Sequence, residues 1–196
     1  MSLAFIICGA LAREVLAIIR QNDWEIDVYG IPAIDHMRPE KIAPDVERKL
    51  LAIRERYTHV LVVYGDCGTR GSLDELLDRY DLQRLESPHC YEMYGGARFD
   101  ELMAEEPGTF FLTDFLVRGF QGTIWHGLGL DRFPQLKNDY FHNYRRIVYM
   151  MQTDSLALRD KAAEIAKILE LPLEIRFSGY GLLEKRLSDW VQQHDR

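Results

Sequence analysis

Thr58-His59-Val60-Leu61-Val62-Val63-Tyr64-Gly65-Asp66-Cys67-Gly68-Thr69-Arg70-Gly71-Ser72 is the stretch on which the fold is decided. Thr58 to Tyr64 is rich in β-branched and aliphatic residues, the composition of a strand covered on both faces. Three glycines follow within seven residues, and then Leu73, Leu76 and Leu77 mark the apolar stripe of a helix. A buried strand that passes through a glycine loop into an amphipathic helix is one repeat of a parallel α/β sheet.

The same alternation runs outward in both directions. Leu3 to Cys8 reads as the first strand, and Leu11, Val15, Ile18 and Ile19 recur at helical spacing over Ala10 to Gln21. Glu25 to Ile31 is a second strand, Pro32 to Pro39 a loop, and Pro44 to Arg56 a helix. Gln83 to Leu85 is a weaker strand. Phe99 to Glu105 is helical, Phe110 to Phe120 strand then helix, and the aromatics of Leu130 to Tyr144 fall near helical spacing. Regular pattern returns with a strand at Arg146 to Gln152, a helix at Ser155 to Leu169, a strand at Leu173 to Phe177 and a helix at Gly181 to Gln193. The expectation is an α/β fold of three layers, a mostly parallel sheet flanked by helices on both faces, Rossmann-like or flavodoxin-like. All 196 residues are expected to form a single domain.

Composition excludes several function classes. A formal net charge of −7 with scattered basic residues does not make the cationic face that nucleic acid requires. No apolar run reaches the roughly 18 residues of a membrane helix, and the start lacks the basic and apolar regions of an export signal. A cytoplasmic protein is expected. Three cysteines in such a chain point to reduced thiols, metal ligands or a catalytic thiol, and not to a disulfide framework. The aromatic stretch Tyr140 to Tyr144 leaves room for a homodimer.

Those cysteines, Cys8, Cys67 and Cys90, each fall where a strand gives way to a loop or helix. The carboxyl ends of neighbouring strands lie along one sheet edge, where ligands of α/β proteins bind, so the three can share a site. Thiolates are strong ligands for zinc and for iron–sulfur clusters, and three protein ligands with one open position is the plan of a catalytic zinc. His36, His89 and Glu92 lie near the same predicted edge as further ligands or orienting groups. The second alternative is a thiol nucleophile at Cys67 or Cys90, with Cys67 on a glycine loop before a helix N-terminus. The third is a non-enzymatic protein without metal whose cysteines merely line a binding pocket.

Cofactor loops are poorly matched. Cys8-Gly9-Ala10 lacks the later glycines of a dinucleotide fingerprint, and Gly65 to Ser72 lacks the Lys-Ser or Lys-Thr of a phosphate loop. His89-Cys90 precedes Arg98 by too many residues for a phosphatase loop. A weaker anion-binding cradle remains at Gly68, Thr69, Arg70 and Gly71. Ser72 with Glu75 is expected to form a capping box, Asp114 and Arg118 a helical ion pair, and Asp154 a cap for the helix that follows it.

Cys8-Gly9-Ala10, Ile34-Asp35-His36-Met37-Arg38-Pro39, Tyr64-Gly65-Asp66-Cys67-Gly68, His89-Cys90-Tyr91-Glu92 and Gly108-Thr109-Phe110-Phe111-Leu112-Thr113-Asp114-Phe115-Leu116 together resemble the family called domain of unknown function 1638. Cys8, Cys67 and Cys90 match cysteines of that pattern, and His36 and Glu92 match polar positions of it. The resemblance implies proximity to corrinoid proteins and methyltransferase components, and so a supporting role in cobalamin-dependent methyl transfer or cofactor reactivation. In that setting a thiolate-bound zinc would serve methyl transfer and an iron–sulfur cluster would serve electron transfer, with cobalamin brought by a partner.

Overall fold

The computed structural model describes residues 2–194, and every strand pairing in it is parallel. The first part of the chain runs β1 (Leu3–Cys8), α1 (Ala12–Gln21), β2 (Ile26–Ile31), α2 (Ile42–Ile53), β3 (His59–Val63), α3 (Ser72–Arg79) and β4 (Gln83–Arg84). It continues through α4 (Cys90–Gly95), α5 (Ala97–Glu105), β5 (Thr109–Leu112), α6 (Asp114–Phe120), α7 (Leu136–Phe141), β6 (Arg146–Met151), α8 (Leu156–Leu169), β7 (Leu173–Phe177) and α9 (Gly181–His194). The α/β class and parallel pairing are those expected from the alternating pattern.

The strands are shared between two sheets, ordered β2-β1-β3-β4 and β5-β6-β7. The sequence suggested one sheet. Its first part stops at β4, a two-residue strand of polar side chains, while β5 takes β6 as its partner in the register Thr109↔Arg146. The described residues accordingly group into two compact units, one running up to Met93 and resuming at Leu182, the other spanning Tyr94–Gly181.

In the first unit β1 is the central strand, buried at all six positions and paired with β2 on one side and β3 on the other. Val15, Ile18 and Ile19 of α1, and Val46, Leu50 and Ile53 of α2, supply the buried faces of the covering helices. The order β2-β1-β3 means that the chain leaves β1 toward one neighbour and comes back on its other side. That reversal makes the carboxyl ends of β1 and β3 the topological switch point, where ligands of doubly wound sheets bind.

The second unit has its own core, with Leu112, Val117, Phe120, Ile147, Tyr149, Met151, Ala162 and Ile165 among its buried members. The aromatic stretch Leu130 to Tyr144 is helical only over α7, because Gly129 adopts a left-handed φ of +72° and Pro134 interrupts the backbone ladder. Asp114 and Arg118 form the expected ion pair, Nη2 donating to Oδ2 at 3.1 Å. The Asp114 carboxylate is fully buried and also accepts from the Tyr149 hydroxyl at 2.6 Å and from the amides of Gln152 and Thr153. It thereby ties the start of α6 to the end of β6. Asp154 does not cap α8; its carboxylate pairs with Arg159.

Removing a buried, multiply bonded carboxylate leaves its donors stranded in a medium that cannot hydrate them. Asp114→Ala is therefore expected to lower stability in chemical denaturation by about 3–5 kcal/mol, and a loss below about 1 kcal/mol would contradict this role.

Candidate functional site

Two glycines set the geometry of this edge. A Cβ on Gly65 would stand 2.9 Å from the His89 Cα and 3.1 Å from the Ser87 carbonyl oxygen. A Cβ on Gly9 would stand 2.9 Å from the Ile31 carbonyl oxygen and 3.2 Å from the Ala33 nitrogen. Only a residue without a side chain lets the backbone pass so close. The first approach brings the loop after β3 against the segment Ser87 to Cys90, and the amides of Asp66 and Cys67 donate to the carbonyls of Ser87 and Pro88 at 2.9 Å each. The second brings the turn Ala33–Met37 against the end of β1.

Four separated stretches of sequence thus meet at one edge of the first sheet. Cys8 closes β1 and is 3 % exposed, with its sulfur 3.8 Å from Nε2 of His36. The His36 ring stacks on Tyr64 at 5.6 Å between centroids, and its Nδ1 lies 3.0 Å from the Ala33 carbonyl oxygen. That contact makes Nδ1 the protonated nitrogen and leaves Nε2 facing the thiol. Cys67 sits in the loop after β3 in the left-handed region, at φ +48°, which L-residues rarely occupy and which collects at functional sites. Cys90 is the first residue of α4.

Cys90 feels the charges of the other two thiols, and Cys67 feels that of Cys8. Burial first, and then backbone and side-chain neighbours, leave Cys8 pushed up to about 11. Burial followed by the charge of Cys8 pushes Cys67 up to about 12, and burial followed by the charges of Cys67 and Cys8 raises Cys90. Burial also lowers His36, so the imidazole beside Cys8 is neutral at physiological pH. A neutral thiol beside a neutral imidazole is the opposite of the thiolate–imidazolium pair of an activated nucleophile. In kind, the donors fit a soft cation, whose charge would offset the repulsion among three thiolates. Among the described residues no group of three or more His, Cys, Asp or Glu side chains is gathered as a metal-holding set. The thiols are electrostatic neighbours and not a finished coordination shell.

The other expected residues are placed differently. The Glu92 carboxylate is held by Arg186, with both guanidinium nitrogens donating at 2.8 Å, and this pairing first of all holds it below its ordinary pKa. Glu92 thereby anchors α4 to the last helix, and the thiols have no claim on it. His89 takes the Glu92 amide on Nδ1 at 3.4 Å and packs against Tyr91. The anion cradle of Gly68, Thr69, Arg70 and Gly71 requires correction. Asp66 occupies it from within, accepting from the Gly68 and Gly71 amides at 3.2 Å each and from the Thr69 hydroxyl at 2.7 Å. Burial raises the Asp66 carboxyl, but the bonds from Thr69, Gly71, Gly68 and Arg70 outweigh it and the net shift is downward. The capping box is likewise absent: Gly71 is the N-cap of α3, and Ser72 donates its hydroxyl to the Thr69 carbonyl.

Sequence reasoning passed over Tyr64 and Asp35. Tyr64 was read as the end of a strand and Asp35 as part of a loop, although both flank glycine- or histidine-bearing motifs. A cleft of about 470 Å³ lies at the other end of this sheet, lined by Tyr57, His59, Tyr80, Trp190 and His194 among others. Its side chains are engaged with one another: His194 stacks on Trp190 and meets His59, and Tyr80 donates to Glu47. The edge with the thiols holds the chemically unusual groups, and it is the candidate site.

Fold and site define an α/β protein with cysteines at the topological switch point of a parallel sheet. The chain belongs to the family described as protein of unknown function (DUF1638), whose model matches residues 31–187. That span takes in His36, Cys67 and Cys90, while Cys8 precedes it. No curated protein and no solved structure matches the chain. No helix among the described residues is long and apolar enough to cross a membrane.

Gly65→Ala is expected to destabilise the protein by about 1–3 kcal/mol, because the new methyl meets backbone that cannot yield; an unchanged denaturation midpoint would refute the close approach. The raised thiols also set a labelling rate. With iodoacetamide at pH 8, Cys67 should react on the order of 10³ times more slowly than a free thiol, because so little of it is thiolate. The rate should climb as pH approaches 11. Rapid alkylation near pH 7 would show an activated thiol instead.

Proposed function

We propose that this protein holds a thiophilic metal centre, a zinc ion or an iron–sulfur cluster, through Cys8, Cys67 and Cys90, and that it supports corrinoid-dependent methyl transfer or cofactor reactivation. What supports the metal half is the placement of three cysteines at the switch-point edge, with Cys67 raised by the charge of Cys8 and Cys90 by the charges of both. Thiols gathered in an enclosed place, with a neutral imidazole beside them, are suited to losing their protons to a soft cation. The corrinoid half is the expectation drawn from the resemblance of the sequence motifs.

When bound there, a zinc ion would supply Lewis acidity toward a thiol or oxygen group, and a cluster would supply an electron. The chain's own residues do the rest. Cys8 is fixed at the end of β1 by the Ala10 amide, which donates to its sulfur at 3.3 Å. His36, neutral and held by the Ala33 carbonyl, presents Nε2 to that sulfur and can take the proton that Cys8 gives up. Asp66 holds the Cys67 loop in its left-handed form by satisfying the amides on its far side. The Glu92–Arg186 pair keeps the first turn of α4, and with it Cys90, in place.

Reconstitution without oxygen, with zinc or with iron and sulfide, is expected to load one centre per chain and to release protons, with affinity rising as pH rises because the thiols must ionise. Cys67→Ser should lower the metal content at least several-fold. Failure of the wild-type chain to retain either metal, measured by elemental analysis and absorption spectra, would eliminate this function.

A further inference from the structure

The cleft at the amino end of the first sheet has a lining that the thiol site does not use. Its volume of about 470 Å³ lies within the range of pockets that take small molecules. Leu50, Val60 and Trp190 are its buried members, and Trp190 is fixed in turn by an edge-to-face contact with Phe5 at 5.8 Å. The two tyrosines that line it have their hydroxyls tied elsewhere: Tyr57 donates to Asp27 at 2.5 Å and Tyr80 to Glu47 at 2.7 Å. What they offer the cleft is ring, held in place by carboxylates outside it. His194 is fixed as well, stacked on Trp190 at 4.3 Å between centroids with its Nδ1 on the Trp190 carbonyl at 2.8 Å.

Pinning the last helix to the sheet accounts for Trp190 and its stack with His194. It does not account for His59 or Arg54. The His59 ring meets His194 at 4.7 Å between centroids, and among the described residues nothing hydrogen-bonds its nitrogens. An imidazole carries an N–H donor in either charge state. Arg54 lies over the Tyr80 ring at 5.5 Å and is paired with no carboxylate among the described residues. Asp81 is the one carboxylate of the described lining, set against a guanidinium and two imidazoles. Flat rings on several sides suit a flat, apolar ligand body, and uncommitted donors suit an anionic group on it. A cationic ligand would have Asp81 alone to meet and Arg54 to repel it.

We propose that this cleft binds a planar aromatic molecule carrying an anionic group, carboxylate or phosphate, with its ring among Tyr57, Tyr80 and the paired imidazoles and its anion on Arg54 and His59. The cleft and the cysteines lie at opposite ends of the sheet, so this reading does not depend on a metal. Because Asp27 and Glu47 hold the tyrosine walls from outside, binding orders few side chains, which keeps its entropic cost low. The walls select for flatness, and Arg54 with His59 selects for charge.

The test is isothermal titration calorimetry of the full chain with four probes built on one ring system: naphthoate, naphthyl phosphate, naphthamide and naphthylmethylammonium. Histidine ring resonances in NMR report where they bind. The anionic probes should bind one per chain and shift the His59 and His194 resonances. The neutral amide should bind about 3- to 10-fold more weakly than the better anion, and the ammonium more weakly still. The tighter of the two anionic probes tells carboxylate from phosphate. Arg54→Gln, a change at an exposed position, should keep the wild-type denaturation midpoint and lose the preference for the anion, and His59→Ala should weaken both anionic probes. Absence of saturable binding at millimolar concentration would overturn the proposal. So would binding that leaves the His59 and His194 resonances unmoved, a preference for the ammonium, or a wild-type preference for the anion in folded Arg54→Gln.

Discussion

The site depends on two places where one backbone passes another with no room for a side chain. Gly9 lies against the Ile31–Ala33 backbone and Gly65 against Ser87–His89, and a Cβ at either would meet backbone at 2.9 Å. These approaches convert four stretches scattered over ninety residues into one edge of a sheet. Cys8, His36, Cys67 and Cys90 are where they are because hydrogen is the only side chain that fits at two other positions. The sheet order supplies the rest, since β1 with β2 and β3 on its two sides makes the switch point that the glycine-held loops then line.

Within that frame, electrostatics sorts the acidic and thiol groups into settled and unsettled. Asp66 is settled: the loop amides and the Thr69 hydroxyl satisfy it, and the Cys67 backbone keeps its left-handed turn beside it. Glu92 is settled by Arg186. The Asp114 carboxylate of the second unit is settled by Tyr149, Arg118 and two amides. The three thiols and Asp35 are not. Burial raises the thiols, the charge of Cys8 raises Cys67 further and the charges of both raise Cys90, and the Asp35 Oδ2 has no hydrogen-bond partner. A positive charge beside the thiols would favour their ionised forms against the burial that now opposes them.

Much of this was readable from the chain. The β-branched run before Gly65 marked β3, and the placement of each cysteine at a strand end or loop led to a shared edge. Cys8–His36 was foreseeable as a meeting of motifs at that edge. What could not be read depended on long-range partners. Arg186 reaches Glu92 from 94 residues away, and nothing local to His89-Cys90-Tyr91-Glu92 discloses it. Asp66 as the occupant of the Gly68 to Gly71 amides had a local signal, since an Asp two residues ahead of a glycine turn commonly bonds forward to the backbone. Tyr64 was concealed by its place at the end of an aliphatic strand, where an aromatic reads as core. The division into two sheets was concealed by β4, too short to show that the first sheet ends there.

The account stands on the three sulfurs belonging to a single centre. X-ray absorption at the metal edge of the zinc- or iron-loaded full chain measures this most directly. It should show a first shell dominated by sulfur at about 2.3 Å, with sulfur lost on substitution of each cysteine in turn. A shell of nitrogen and oxygen alone, unchanged by those substitutions, would contradict it.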